Sequence, residues 1–482
     1  MAITKVTGGL LGNLAVGTNN VALGDGALSD GSLSGNNNTA VGHNALVANT
    51  TGASNVAVGT SALSANVGGY FQTAIGFEAL KNTNYTPNLF AYSTAVGYQA
   101  GVANTTGKIT AVGAKVLASN TTGINNAGFG GETDTFGAAL QDNTTGSYNS
   151  AFGYNALHSN TTAGYQTAIG YNSLATVNGG LENTALGANT LSLTSTGSYN
   201  TAIGTTAMYG NTTGSYNVAV GRNALDANTT GQYNTAVGHS ALGTIATVSS
   251  STAVGYNALS LATAGQNTAL GYEAGGAVTS GGDNVLLGFR AANYQNNLTT
   301  GIDNTVVGAY TRLSSGTVSS ETVIGRYALG QGTGTVTLGL SGNGVHIALN
   351  NSTTNWSKHS DERLKENIVD STAGLSFIND LRPVTYTWKS KKDISSEFEN
   401  YYDADSNEPV QGMEDTTYHG FLAQEVKEVI ENHSEIKNGH AIWRESPDGI
   451  QNLADGALMP MLVKAVQELS AQVEELKSRL GD

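Results

Sequence analysis

A motif of the form N-T-A-x-G-x-x-A-L recurs along most of the chain and limits the folds that it can adopt. Its central glycines include Gly153, Gly170, Gly187 and Gly204, which follow one another in steps of 17 residues. The units run from about residue 13 to about residue 340, which gives about 20 copies. Seventeen residues are too few for a helical-hairpin repeat of about 33 residues. They suit one coil of a β-solenoid.

The residue types of the unit indicate how such a coil is built. In the T-A-V-G and x-A-L segments the side chains alternate as in a strand, so we expect two short strands and two turns. The small alanine is expected inside the narrow coil, and the neighbouring Val, Ile or Leu is expected to pack on the next layer or chain. Glycine allows a tight corner, and the N-T-T-G linker consists of turn residues. Asparagines at equivalent corners are expected to stack into an amide ladder.

Charge divides the chain near residue 345. Residues 1–344 carry 8 Lys and Arg against 12 Asp and Glu, whereas residues 345–482 carry 13 against 24. Both parts are acidic, so neither offers the basic surface that nucleic-acid binding requires. No apolar run approaches the roughly 20 residues of a membrane span, so we expect no membrane insertion. The chain has no cysteine, which excludes disulfides and thiolate metal sites, and no metal or cofactor is expected.

The repeat pattern resembles the head repeats of trimeric autotransporter adhesins and the shaft repeats of phage tail fibres. The resemblance covers most of residues 13–340 and implies a trimeric parallel β-roll. A 17-residue coil encloses almost no hydrophobic volume, so stacked coils and partner chains are both expected to be necessary. The expected fold is therefore mainly β, with a trimeric β-roll or β-solenoid shaft over 13–344 and a small α+β domain after it.

The charged C-terminal part contains three distinctive segments in this order: S-D-E-R-L-K-E-N-I from Ser360, Y-H-G-F-L-A-Q-E-V from Tyr418, and apolar heptads over 458–480. Together they resemble the self-cleaving intramolecular chaperone of phage tail spikes and fibres, a family that includes the C-terminal domain of endosialidases. The resemblance implies that residues 360–482 trimerise the fibre and then cleave themselves off, with 345–359 as a linker. It also implies that Ser360 is the nucleophile, that Lys365 is its base, and that the cut lies between His359 and Ser360.

The residue types around Ser360 fit this chemistry. A serine hydroxyl is a weak nucleophile that needs an adjacent base, and an amine serves as one when burial favours its neutral form. Residues five positions apart do not share a helix face, so Ser360 is expected in extended backbone and Lys365 in the turn entering a short helix. Glu366 is a candidate to orient Lys365, and Arg363 a candidate to donate to the carbonyl oxygen. The same segment also fits an ordinary capped helix start with exposed charged residues.

The end of the chain shows an a/d heptad seam. Its residues are spaced alternately three and four positions apart: Met459, Leu462, Val466, Leu469, Val473, Leu476 and Leu480. This pattern predicts a coiled-coil helix that joins chains. Valine at a with leucine at d favours dimers in peptides, whereas the family resemblance implies a trimer, which we expect here. A rapidly formed local helix would bring the chains into register before the solenoid, with its long-range contacts, folds.

Aromatic residues are the candidates for receptor contact. The insertion 81–93 carries Tyr85, Phe90 and Tyr92, which suit sugar stacking on a loop or packing against a neighbouring chain. A tyrosine also recurs two residues before the strand motif, at Tyr148, Tyr165, Tyr199, Tyr216 and Tyr233. This stripe predicts either a stabilising aromatic ladder or a carbohydrate track, for which Tyr199 and Tyr216 are the candidates.

Three functions fit these features: a phage tail fibre that attaches to the host surface, a cellular adhesin with the same chaperone, and a carbohydrate depolymerase. Glycoside hydrolysis usually needs two nearby carboxylates, and in the shaft only Glu132 and Asp134 lie close in sequence. We therefore expect a tail fibre whose activity is a single self-cleavage turnover, with none on an external substrate. The expected partners are two further copies, a tail, baseplate or adaptor protein held through residues 1–12, and a glycan or protein receptor on the host. The expected location is the virion, after synthesis in the host cytoplasm.

Overall fold

The computed structural model describes residues 19–85, 89–132, 137–340, 343–349, 357–358, 362, 365–396, 402–411, 413, 416–436, 442–446 and 450–481. The chain divides into two compact units, Met1–His359 and Ser360–Asp482. We call them the shaft unit and the C-terminal unit. The predicted attachment segment 1–12 lies outside the described residues.

The shaft unit is a β-solenoid in which each coil contributes one short strand to a parallel sheet, which confirms the predicted fold class. Its strands are β1 (Val21–Leu23), β2 (Thr39–Val41), β3 (Val56–Val58), β4 (Gly69–Tyr70), β5 (Thr73–Ile75), β6 (Leu89–Phe90), β7 (Thr94–Val96), β8 (Ile109–Val112), β9 (Asn126–Phe129), β10 (Ser150–Phe152), β11 (Thr167–Ile169), β12 (Thr184–Leu186), β13 (Thr201–Ile203), β14 (Val218–Val220), β15 (Thr235–Val237), β16 (Thr252–Val254), β17 (Thr268–Leu270), β18 (Val285–Leu287), β19 (Thr305–Val307) and β20 (Thr322–Ile324). Strands β4 and β6 form a separate parallel pair. All the others stack in register, so that Ala202 pairs with Ala219, which pairs with Ala236.

The strand of most coils places a buried alanine beside an apolar residue that is exposed or half-buried. In β13 the Ala202 side chain is fully buried, Thr201 is partly buried and Ile203 is exposed. This confirms the predicted inward position of alanine and follows from the alternation of side chains along a strand. The third strand position forms what we call the outer row, which includes Ile75, Phe152, Ile169, Leu186, Ile203, Leu270 and Ile324, all exposed on the single chain.

The x-A-L segment is a turn, so the prediction of a second strand in each coil is wrong. Ala224 and Leu225 are both fully buried, whereas neighbouring residues of a strand would face opposite sides. The reason is the left-handed backbone of Leu225, whose φ is 52°. This turn lets two successive side chains enter the core, and burial of each leucine contributes about 1.5–3 kcal/mol.

The central glycine of each unit is required by the spacing of the coils. Gly238 has a φ of 135°, which side chains rarely tolerate. A Cβ atom at this position would lie 2.3 Å from the backbone oxygen of Gly255 in the next coil. Glycine at this corner therefore allows both the turn and the close stacking.

Two buried asparagine ladders run along the solenoid, as predicted. Before the strands, Asn200 Nδ2 donates to Asn183 Oδ1 at 3.0 Å and Asn217 Nδ2 donates to Asn200 Oδ1 at 3.2 Å. In the N-T-T-G corner, Asn228 Nδ2 donates to Asn211 Oδ1 at 2.9 Å. These bonds satisfy amides that would otherwise destabilise the core.

The corner ladder is interrupted at Val177. Asn160 donates to Asn143 Oδ1 at 2.7 Å and to the backbone oxygen of Ala163 at 3.1 Å, but its own buried Oδ1 has no hydrogen-bond partner. The valine in the next coil is fully buried and offers no donor. An unsatisfied buried acceptor of this kind costs about 1–3 kcal/mol.

We expect the substitution Val177→Asn to stabilise the shaft by about 1 kcal/mol. The new amide would donate to Asn160 Oδ1 and to the oxygen of Gly180, which repeats the arrangement at Asn160. The measurement is the midpoint of chemical unfolding, with Val177→Ala as the control that removes the apolar side chain without adding a donor. A loss of stability as large as that of the alanine variant would contradict the expectation.

The parallel stack ends in antiparallel strands. Strand β21 (Thr335–Leu340) pairs with β20 in parallel, and β22 (Asn343–Ala348) pairs antiparallel with both β21 and β23 (Ser357–Lys358). The described parts of the segment 345–359, assigned above to a linker, thus include strand residues that extend the shaft sheet.

The C-terminal unit is small and contains both helices and sheets. Its elements are α1 (Leu375–Asp380), β24 (Val384–Tyr386), a 3-10 turn (Lys391–Asp393), β25 (Tyr418–Gly420), α2 (Ala423–Asn432), β26 (Trp443–Glu445), β27 (Gln451–Leu453), a second 3-10 turn (Asp455–Leu458) and α3 (Met459–Leu480). Strands β24 and β25 form one antiparallel pair, and β26 and β27 form another. In the part of the chain that the structure describes, no helix combines the length and apolarity needed to cross a bilayer.

Candidate functional site

Of the residues predicted to form the self-cleavage site, the structure describes Lys365 and Glu366. Lys365 and Glu366 are both exposed, and the backbone N–H of Lys365 donates to the oxygen of Glu362 at 3.0 Å. His359, Ser360 and Arg363 lie outside the described residues. The pairing of Ser360 with Lys365 therefore stays a prediction.

One expectation about this segment differs from the structure. The residues from Lys365 to Ile368 are not helical, so the short helix expected after Lys365 is absent. Asn367 has a φ of 53°, a left-handed conformation that does not continue a right-handed helix. Lys365 is also exposed on the single chain, whereas an amine that acts as a base needs burial.

The core of the C-terminal unit holds its three helices together. Phe377 of α1 is completely buried and lies in one cluster with Val426 and Ile430 of α2. Helix α3 contributes Met461 to this cluster and fixes the start of α1, because Glu468 Oε2 accepts the backbone N–H of Leu375 at 2.8 Å. One face of α3 thus packs against the core and against α1 within the C-terminal unit.

The heptad seam lies on another face of α3 and is exposed. The exposed fractions of its residues range from 41 % to 80 % for Met459, Leu462, Val466, Leu469, Val473, Leu476 and Leu480. An apolar groove of about 690 Å³ adjoins it, lined by Ile378, Val384, Phe421 and Leu462 among others. Because Leu462 belongs to both, seam and groove form one continuous apolar surface.

His433 connects the ends of α1 and α2 through two carboxylates. It is nearly buried beside Phe377, its Nε2 lies 2.8 Å from Asp380 Oδ2, and its Nδ1 lies 2.8 Å from Glu435 Oε1. His433 donates hydrogen bonds to both carboxylates only when both of its ring nitrogens carry a proton. The hydrogen bond to Asp380 and then that to Glu435 raise the pKa of His433.

We expect the C-terminal unit to lose stability as pH rises above neutrality. A raised folded-state pKa means that the stabilisation by His433 is complete below about 6.5, the unfolded value, and disappears as pH rises through the higher folded value. Its loss should lower the melting temperature by about 4 °C. Tryptophan fluorescence of a Trp356→Phe background measures this unit through Trp388 and Trp443. The variant His433→Gln should melt at the same temperature across pH 6–9, and an unchanged pH dependence would contradict the assignment.

Glu435 determines the pH below which the ion-paired cluster around His433 loses stability. Its own backbone hydrogen bond and then the one from His433 lower the pKa of Glu435. A lowered pKa keeps the carboxylate charged, so its stabilising contribution is lost only as pH falls through that lowered value. The ion-paired cluster is therefore expected to be most stable between about pH 4.5 and 6.5.

Comparison with known proteins identifies the first part of the C-terminal unit. Residues 360–435 match the family described as Chaperone of endosialidase. This segment is an endosialidase-type chaperone domain. It follows a solenoid of about 17-residue coils, so the chain is a tail-fibre-like or tailspike-like protein with an intramolecular chaperone. No curated protein sequence matches the chain.

The chaperone domain contains α1, α2 and the His433 cluster, and the matched segment begins at Ser360. Helix α3 and its seam follow the matched segment. Among the residues that the structure describes, no three His, Asp or Glu side chains are placed to hold a metal ion.

The receptor candidates of the shaft differ in exposure. Tyr85 is buried, and its hydroxyl donates to the oxygen of Gly107 at 2.6 Å, so the expectation that it is exposed on a loop is wrong. Phe90 and Tyr92 are exposed and lie in one aromatic cluster with Tyr70 and Phe71. Their role in receptor binding stays a prediction.

Tyr199 and Tyr216 stack face to face along the predicted stripe. Their ring centroids are 4.9 Å apart, and Tyr233 stacks on Tyr216 at 5.2 Å. Both faces of the Tyr216 ring are therefore covered by neighbours, while its edge is exposed. The geometry is that of an aromatic ladder, and a receptor role of these tyrosines stays a prediction.

A second aromatic row was missed in the sequence. It follows the central glycines and stacks His239, Tyr256, Tyr272 and Phe289 at centroid distances of 5.1–5.3 Å. The guanidinium of Arg290 lies 5.9 Å from the Tyr272 ring centroid and pairs with Glu273 at 2.7 Å. The signal was available, since G-Y or G-F recurs at this position of the repeat.

Proposed function

We propose that this chain is a structural tail fibre of a phage virion that attaches to the host surface as a homotrimer. Its C-terminal unit aligns three chains and then removes itself by cleavage between His359 and Ser360. The protein would be made in the host cytoplasm, held to a tail, baseplate or adaptor protein through its first residues, and bound to a surface glycan or protein receptor. The observation that carries this proposal is the chaperone domain beginning at Ser360 directly after a repetitive solenoid.

The exposed apolar surfaces support a trimer. A soluble monomer rarely exposes large contiguous apolar patches, yet both the outer row of the shaft and the heptad seam of α3 are exposed on the single chain. A coiled coil of three α3 helices would bury the seam. Packing of neighbouring shafts would bury the outer row, and an α3 helix of a neighbouring copy would also cover the adjoining groove.

The proposed cleavage uses residues of this chain and one water molecule. Ser360 Oγ attacks the carbonyl carbon of His359 while the neutral amine of Lys365 takes the hydroxyl proton. The C–N bond breaks, and the amine returns the proton to the leaving nitrogen. Water then hydrolyses the resulting ester, which leaves a carboxylate on His359 and a free amine on Ser360.

The exposure of Lys365 suggests when this reaction occurs. An amine acts as a general base most effectively in surroundings that exclude water. Assembly with two further copies would supply the burial that is missing on the single chain. We therefore place cleavage after trimerisation.

The experiment is intact-mass analysis combined with the molar mass of the purified assembly in solution. The expected products are a trimer of Met1–His359 and a fragment of 123 residues, Ser360–Asp482. An uncut trimer would refute the cleavage and leave the trimerising role standing. A monomeric full-length chain would refute both.

A further inference from the structure

The aromatic stripe of the shaft has a fixed place in each coil. Its residue adopts a left-handed backbone, with a φ of 61° at Tyr148 and 59° at Tyr216. Its N–H donates to the residue that follows the corner glycine of the preceding coil, as Tyr148 does to Ile124 at 2.9 Å and Tyr216 to Ser198 at 3.0 Å. Successive stripe residues therefore project from the solenoid one above the other.

One coil lacks its stripe residue. The usual corner reads G-S-Y-N, as at Gly146–Asn149, but the coil that contains β8 reads Gly107–Lys108–Ile109. Asn125 of the next coil donates its N–H to the oxygen of Lys108 at 2.7 Å, so Lys108 holds the place of the serine. The stripe position between Tyr92 and Asn125 is therefore empty.

The missing residue leaves a cavity of about 410 Å³ lined by Tyr92, Lys108, Thr110 and Asn125 among others. This volume is within the range of small-ligand pockets. Strands lie about 4.8 Å apart, so two coil steps separate Tyr92 from Asn125 by about 9.6 Å, and one flat ring fits between them. Phe71 stacks on one face of Tyr92 at 5.6 Å, and Lys108 Nζ lies 5.8 Å from the Tyr92 centroid.

The groups around this cavity match the surfaces of an acidic sugar. An aromatic ring presents a flat apolar face to the C–H groups of a pyranose. The Asn125 amide and the Thr110 hydroxyl can bond to sugar hydroxyls, and the Lys108 ammonium can pair with a carboxylate. Tyr92 is 57 % exposed, and Phe71 and Phe90 each lie against it at a centroid distance of 5.6 Å.

We infer that this cavity binds a hexuronic acid residue of an acidic surface polysaccharide. The sugar ring takes the place of the missing stripe residue and continues the stack from Phe71 and Tyr92, with its carboxylate on Lys108. This inference rests on the proposed host attachment and names the chemical class of the receptor.

The test measures binding of glucuronate and of glucose to the purified full-length protein by saturation-transfer NMR and calorimetry. Glucuronate should bind at least five-fold more tightly than glucose. Lys108→Gln should remove this preference, and Tyr92→Ala should abolish the binding of both sugars. The control Tyr256→Ala, which removes another exposed ring that is stacked on both faces, should change neither.

A second variant tests the empty position itself. Insertion of one tyrosine between Lys108 and Ile109 restores a 17-residue coil and should fill the cavity, with loss of glucuronate binding and an unchanged melting temperature. Equal binding of both sugars to the wild type, no binding, or unaltered binding after the insertion would overturn the inference. Adsorption of labelled protein to host cells is measured in parallel. Adsorption without glucuronate binding refutes only the sugar assignment, and glucuronate binding without adsorption refutes only the attachment function.

Discussion

Replacing Ser360 by alanine is expected to leave the chain uncut. The variant keeps the fold of both units but has no hydroxyl to attack the His359 carbonyl. Removal of a catalytic serine typically lowers a rate by about 10⁶-fold, so no fragment should appear during expression or storage. Intact mass gives the result directly, since the full-length chain of 482 residues replaces two products.

Matched variants separate loss of chemistry from loss of folding. Ser357→Ala removes a hydroxyl from β23 only three residues earlier and should be cut like the wild type. Lys365→Ala and Lys365→Arg should both block cleavage, because a guanidinium stays protonated and cannot act as a base. A Ser360→Ala chain that is still cut at the same bond would assign the nucleophile elsewhere.

Replacing Leu469 by aspartate is expected to prevent trimer formation. Leu469 lies at the centre of the exposed seam, and burial of a leucine there contributes about 1.5–3 kcal/mol in each chain. Three carboxylates placed in one layer of a coiled coil would add repulsion and desolvation costs. The expected species is a monomer or a shaft aggregate, which light scattering coupled to size-exclusion chromatography distinguishes from a trimer.

The control introduces the same charge on the outer face of α3. Ala471 lies two residues further and outside the a/d pattern, so Ala471→Asp should still trimerise. Because cleavage is proposed to follow assembly, Leu469→Asp should also remain uncut. Efficient cleavage of a monomeric Leu469→Asp chain would separate the two events and refute this order.

The general architecture of the shaft was predictable because one residue decides each of its main features. The 17-residue step sets one coil, alanine such as Ala202 fits only a narrow interior, and a corner glycine such as Gly238 permits a φ that other residues avoid. Asparagine at a repeated buried position can satisfy its amide through its own copies in adjacent coils together with backbone oxygens. Each of these inferences follows from the residue types of the repeat unit and from its recurrence.

Other features depend on backbone conformation that residue type does not reveal. The left-handed turn at Leu225 is unfavourable for leucine in isolation and exists because burial in the stack outweighs its cost. The burial of Tyr85 likewise depends on the backbone oxygen of Gly107 in another coil, which accepts a hydrogen bond from the Tyr85 hydroxyl. At the candidate cleavage site, the surroundings of Lys365 depend on groups distant in sequence, which no local pattern predicts.

The residue-by-residue pairing of successive strands bears on how the length of such a fibre can evolve. Strands pair in register across steps of 16, 17, 20 and 23 residues, as between Thr94 and Thr110 or between Ala127 and Ser150. A deletion or duplication of 51 base pairs would therefore remove or add one coil and leave every remaining contact of the sheet in place. Unequal recombination between the similar units could then change the reach of the fibre in increments of about 4.8 Å. The number of repeat units in the gene would therefore set the length of the fibre, and it could change without a change of fold.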